Sequence, residues 1–175
     1  MKVAVVAYPR LAAADRERIE SFRQRHDPQA SRLGVHFTLV FPCEMQPDHV
    51  SQEIASVAQE TSPITFVVRR AELVRDVFGS GSHVFLTPGD GSSQLTELHD
   101  RLYAGVFREH LRADIPFTPH MTVAAAEDVE SGERLVIELD IGSRLIAGVV
   151  DCIELVDVGT PRVETIAAYP LGLRV

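Results

Sequence analysis

The chain lacks the features that would announce several common protein classes. Its two cysteines, Cys43 and Cys152, are far apart and sit in apolar runs, which argues against a disulfide framework or a C-x-x-C motif and marks both as reduced core residues. No apolar run approaches the roughly 18 residues of a membrane span. The opening MKVAVVAYPR carries one lysine, too short an apolar stretch for a signal peptide and no A-x-A cleavage site. Low-complexity tracts are missing as well. Positive charge is scarce, because 17 Lys and Arg face 25 Asp and Glu for a net charge of −8. That balance opposes the broad attraction by which proteins hold long nucleic acids. These absences lead us to expect a cytoplasmic monomer with no membrane attachment, no extended nucleic-acid surface, no cofactor and no structural metal. A small phosphorylated ligand or the tip of an RNA is still compatible with an acidic body that carries a local positive site.

What is present is a chain of 175 residues, 45% hydrophobic, enough for one domain that buries roughly 70% of its unfolded surface. Val3–Tyr8 reads as a strand ended by Pro9, Leu11–Arg25 as an amphipathic helix, and GVHFTLVFP as a strand closed by Pro42. Pro47–Glu60 reads as a helix and Ile64–Val74 as a strand. After the GSGS of Gly79–Ser82 the order begins again. A strand from His83 ends at Pro88, and a helix over Gln94–Leu111 has Leu95, Leu98, Leu102, Val106 and Leu111 on one face. Then come the strand FTPHMTVAAA, a helix over Val129–Leu139, and strands over Gly148–Gly159 and Val163–Gly172. The fold class expected is α+β, with two pseudo-symmetric lobes from a duplicated strand-helix-strand-helix-strand unit and antiparallel-rich sheets around a central cleft. Residues 1–175 form one bilobal domain, with repeats at approximately 1–78 and 82–175.

Each repeat carries a histidine in the same slot, His36 in HFTL and His120 in HMTV. Side chains alternate along a strand, so His36 and Thr38 share one face while Phe37 and Leu39 share the other, and His120 and Thr122 oppose Met121 and Val123. Two such strands across a cleft bring two imidazoles and two hydroxyls to a space the size of a phosphate. With an ordinary pKa of about 6.5, one imidazole can take a proton while the other gives one. A third His-x-Ser, His49 to Ser51, falls at a helix start where a period of two does not apply, and reads as chance.

The paired motifs, about eighty residues apart in duplicated halves, resemble the two-histidine phosphoesterase superfamily in its bacterial 2'-5' RNA ligase-like branch. The resemblance covers nearly the whole chain. It implies two lobes around a cleft and metal-independent hydrolysis of 2',3'-cyclic or 2'-5' phosphodiester linkages, with reversible 2'-5' ligation as the opposite direction. It also implies His36 and His120 as catalytic acid and base, and Thr38 and Thr122 as phosphate-binding hydroxyls. No array of Lys and Arg lies between the motifs, so a nucleotide or a short RNA end is the expected partner and substrate. A non-catalytic nucleotide-binding or scaffold domain of the same fold is the alternative. A metallohydrolase built on His36, His120 and Asp140 is the third reading, and it lacks an H-E-x-x-H signature.

Further candidates for the substrate are Tyr8 and Phe117 for base stacking, Arg10, Arg32, Arg69, Arg70 and Arg75 for a second phosphate contact, and His83, which heads the strand mirroring the N-terminal one. His26, His99 and His110 sit beside charged residues on helices and read as surface groups. The GSGS stretch and PGDGSS, Pro88–Ser93, read as turns and caps.

Overall fold

KVAVVA, the most β-branched run of the N-terminal region, becomes strand β1 (Lys2–Ala7), and Val3 to Ala7 are all buried. A strand buried on both faces belongs inside a sheet rather than at its edge. In the computed structural model, which describes residues 1–76, 79–141 and 144–172, β1 lies between β3 (Phe37–Glu44) and β8 (Cys152–Asp157), and β9 (Glu164–Pro170) completes an antiparallel sheet ordered β3-β1-β8-β9. A second antiparallel sheet runs β2 (Arg10–Leu11), β7 (Ile146–Val150), β4 (Ile64–Arg75), β5 (Ser82–Asp90) and β6 (Met121–Ala126) in that order. The helices are α1 (Ala13–His26), α2 (Pro47–Gln59), α3 (Ser92–Tyr103) and α4 (Val129–Leu139), and α3 is followed by a short 3₁₀ turn over Arg108–His110. Among the described residues no helix is long and apolar enough to cross a membrane. Both cysteines are free thiols.

The two sheets repeat one another: β3-β1-β8-β9 maps onto β6-β5-β4-β7. The mapping exposes an exchange, because β4 of the first repeat lies in the sheet with β5 and β6, and β8 of the second repeat lies in the sheet with β1 and β3. Asp76 N–H donates to Gly81 O at 2.9 Å just beyond the ladder in which β4 pairs with its sequence neighbour β5. β8 correspondingly pairs with β1. Each lobe therefore draws on both halves of the chain. The repeat boundary at residue 78 and the end of the second repeat at 175 lie outside the described residues.

Several sequence expectations shift in detail. The run Gly148–Gly159 is two strands: β7 lies in one sheet and β8 in the other, and the chain crosses between them at Asp151. Leu11 pairs with Gly148 in β2 rather than opening α1. The helix expected to reach Leu111 stops at Tyr103, where the Glu53 carboxylate accepts the Val106 N–H at 3.0 Å and a Cβ on Gly105 would overlap that carboxylate. Val106 and Leu111 are exposed as a result. Pro42 lies inside β3, an edge strand that tolerates it. Pro88 lies inside β5, paired with Val68 beside a register shift.

The helix that prepares the first histidine is α1. Its buried stripe is Ile19, Phe22 and Arg23, so a guanidinium sits where a leucine would be ordinary. Arg23 is 1% exposed. It pairs with Asp27 at 2.8 Å and Glu20 at 2.9 Å, and donates to Leu33 O at 3.1 Å. Glu20 also accepts the Val35 N–H at 2.6 Å. The cluster thereby fixes the irregular segment between α1 and His36. Replacing Arg23 by Met strands the buried Asp27 carboxylate, and we expect a loss of about 3–5 kcal/mol in urea unfolding. The double variant Arg23→Met, Asp27→Asn should recover a large part of it. A single variant as stable as wild type would show that the cluster contributes nothing.

Candidate active site

The local build is the same at both motifs. Val35, Phe37 and Leu39 point into the core, where Phe37 meets Phe66 edge-on at 5.1 Å, and His36 and Thr38 take the opposite face half-buried. Met121 and Val123 are fully buried and His120 and Thr122 are half-buried. Each histidine stands one residue before its strand rather than inside it. Directly after each threonine the ladder slips. Val6 pairs with Thr38 while Val5 pairs with Val40, which leaves Leu39 as the extra residue; Phe85 pairs with Thr122 while Val84 pairs with Ala124, which leaves Val123. Two bulges at equivalent positions keep two consecutive side chains inward and set the angle of the reactive face.

The imidazoles are held alike. Nδ1 of His36 bonds Gly34 O at 2.9 Å and Nδ1 of His120 bonds Thr118 O at 2.7 Å. A carbonyl oxygen can only accept, so Nδ1 is the donor in both and Nε2 is left for chemistry. Burial pushes both histidine pKa values down, and the two backbone carbonyls oppose it. At His36 the Arg23 guanidinium lowers the value further, Asp27 raises it and His120 lowers it. At His120 the added depression comes from His83. The influence of His120 on His36, the smallest of those named, puts the two imidazoles within electrostatic reach.

A cleft of about 510 Å³ lies between the sheets. His36 and Thr38 line one wall, and Thr122, Phe85 and His83 line the other. The His120 ring lies flat against Phe85, with centroids 3.7 Å apart and planes 15° apart. Ala4, Val6, Val158 and Val163 supply an apolar floor, and Asp27, Gln29 and Arg32 a polar rim. Four donors of Arg32 are already engaged: by Pro161 O at 3.1 Å, Val158 O at 3.2 Å, Thr160 O at 3.0 Å and Gln29 Oε1 at 3.0 Å. Arg32 is thus an organiser of the rim rather than an open phosphate fork.

The other sequence candidates divide. His83 reaches the cleft. Tyr8 stands beside His36 with ring centroids 6.1 Å apart, although it does not line the cleft. Arg10 lies elsewhere, paired with Asp151 at 2.6 Å. Phe117 also lies elsewhere: it stacks on His99 at 3.7 Å and lines a separate hollow of about 190 Å³. Arg69 pairs with Asp90 and Arg70 with Glu72, both outside the cleft lining, and Arg75 is on β4 outside that lining. Asp140 follows α4 and lines another depression with Arg69 and Arg70. Among the described residues no three His, Cys, Asp or Glu side chains converge as a metal site, so the set His36, His120 and Asp140 is not assembled. His49 is exposed on α2, and His26 pairs with Glu138 at 3.1 Å. His99 is a correction, since it is buried at 3% exposure and is no surface group. Its place at one or four residues from Leu98, Leu95 and Tyr103 puts it on the apolar stripe of α3, a signal the periodicity already held. Arg23, beside Phe22 and four residues from Ile19, carried the same signal.

The sequence model of the 2'-5' RNA ligase superfamily matches residues 9–157. A candidate phosphoesterase of Bacillus licheniformis is 27% identical over 127 residues, covering 71% of this chain and 70% of that protein. Another, of Oceanobacillus iheyensis, is 26% identical over 136 residues, covering 76% and 74%. Among solved structures, TT0787 of Thermus thermophilus aligns over the whole of both chains with a TM-score of 0.64 at 16% identity. LigT of E. coli, in its complex with 3'-AMP, aligns over 97% of each chain with a TM-score of 0.61 at 17% identity. The structural likenesses establish a common fold. With a family match that spans both histidine motifs, the chain belongs to the 2'-5' RNA ligase superfamily.

Proposed function

We propose that the protein is a phosphodiesterase that hydrolyses 2',3'-cyclic or 2'-5' phosphodiester linkages of nucleotides or short RNA ends by proton exchange between His36 and His120. The observation that carries this reading is the duplicated presentation of imidazole: the same Nδ1-to-carbonyl anchor and the same bulge after the same threonine, with Thr38 and Thr122 lining one cleft and His120 stacked behind its wall residue Phe85. One neutral Nε2 accepts a proton from water as its oxygen attacks phosphorus. The opposite, protonated Nε2–H donates to the ribose oxygen as its bond to phosphorus breaks, leaving a phosphomonoester and the two histidines with their proton states exchanged. With a 5'-hydroxyl in place of water as nucleophile, the same steps break the bond from phosphorus to the 3' oxygen of a cyclic phosphate, protonate that oxygen and leave a 2'-5' linkage, and the reverse of that step cleaves the linkage back to the cyclic phosphate. Thr38 and Thr122 donate hydroxyl protons to the non-bridging oxygens, where negative charge grows.

The substrate class follows from size and charge. A 510 Å³ cleft with an apolar floor suits one nucleotide, and a body of net charge −8 disfavours a long polyanion. The structural neighbour LigT has been crystallised with 3'-AMP, NADP+ and ATP, which supports a nucleotide here as well.

A panel of 2',3'-cyclic nucleotides assayed in EDTA tests the reading. His36→Ala and His120→Ala should each lower kcat/KM by about 10²–10⁴-fold, and Thr38→Val or Thr122→Val by about 10²-fold. Full activity in His36→Ala would overturn the mechanism, and a wild type that returns every ligand intact would leave the cleft a binding site. The pH profile is a separate test. The base works only above its own pKa and the acid only below its own, and both values lie under the ordinary histidine value of about 6.5 in the free protein. The bell of kcat/KM should therefore peak on the acid side of about pH 6.5, and a peak above about pH 7 would contradict the burial argument.

A further inference from the structure

His99 is a buried imidazole with no part in the proton transfers, yet it touches both arms of the cleft. Its Nδ1 donates to Leu39 O at 2.8 Å, and Leu39 is the bulged residue that follows Thr38. Its ring lies flat on Phe117, with centroids 3.7 Å and planes 4° apart, and Phe117 stands three residues before His120. Tyr103, one helical turn further along α3, packs on His99 at 4.7 Å, and its hydroxyl oxygen accepts the Phe41 N–H at 3.0 Å. Helix α3 thus lays two polar side chains along β3, which is an edge strand with backbone groups to satisfy. From the same point it grips the segment that delivers the second histidine.

We propose that His99 is a positioning residue that sets the separation of His36 and His120, pinning the β3 bulge through Nδ1 and the His120 arm through its ring. The inference rests on the two-imidazole reading above. A packing role alone would be met by Leu, which fits the stripe of Leu95, Leu98 and Leu102. The donor bond and the face-to-face stack need an aromatic donor. In-line attack is sensitive to misplacement, and about 1 Å at the reacting atoms can cost 10²-fold.

The two contacts can be separated by substitution. His99→Phe keeps a ring against Phe117 and removes the donor. His99→Asn keeps a donor near Leu39 O and removes the ring, and Phe117→Leu removes the stack from the other side. Imidazole ¹⁵N–¹H NMR of the ligand-free protein reads His36 and His120 without turnover. We expect His99→Phe to move the His36 resonances and spare those of His120, and His99→Asn and Phe117→Leu to do the reverse. Each folded variant should also lose about tenfold or more in kcat on a 2',3'-cyclic nucleotide, with KM within about twofold of wild type. Unmoved resonances, both histidines moving alike in every variant, or kcat within about twofold of wild type would overturn the proposal. Should His99→Phe fail to fold, the other two variants still carry the test. If the wild-type protein turns over no substrate, the phosphodiesterase reading fails by itself, because the NMR pattern still decides whether His99 positions the pair.

Discussion

The backbone ladders that cross between the repeats are the constraint on which the rest depends. β1 pairs with β8 from Val3 opposite Asp157 to Val6 opposite Glu154, and β4 pairs with β5 from Val67 opposite Asp90 to Arg75 opposite Ser82. Each ladder unites strands from different repeats, so neither half of the sequence can form its sheet alone. β3 and β6, each at one edge of its sheet, are the strands that begin directly after the histidines. Having one neighbour each, they are free to present a polar face to the space between the lobes while their apolar faces anchor them in the core.

The two copies share an anchor but not an environment. His36 stands over the ionic cluster of Glu20, Arg23 and Asp27, so its charge state feels a buried guanidinium and a buried carboxylate together. His120 stands against Phe85, and the neighbour on that wall that lowers its pKa is His83. Identical geometry with unlike surroundings is how a duplicated motif can separate two proton-transfer roles. The unlike surroundings come from residues outside the motifs: a helix supplies Arg23 to one copy, and a strand supplies Phe85 and His83 to the other.

The face shared by histidine and threonine was legible in the sequence because a period of two is a local property. Once HFTL and HMTV are strands, the shared face of His and Thr follows, and α4 begins and ends where its caps and apolar spacing put it, with Asp128 accepting the Ser131 N–H. The duplicated order of elements was legible for the same reason. The exchange of β4 and β8 was not, since which strand pairs with which is decided by burial across the whole molecule. Arg10 and Phe117 illustrate the limit at the scale of side chains. One is drawn to Asp151 at the crossing between β7 and β8, and the other to an imidazole that linear sequence placed on the surface. The end of α3 was set by Glu53, which lies on a different helix, far back along the chain.

The matched bulges also govern how such a protein can diverge. Because every side chain in a strand changes face with a one-residue shift, a deletion or insertion near Thr38 or Thr122 would turn an imidazole into the core and a core residue into the cleft. Both repeats have the extra residue at the same place, Leu39 in one and Val123 in the other. Length change is therefore channelled into the connecting segments, and inside these two strands lineages can vary only by exchanging one residue for another.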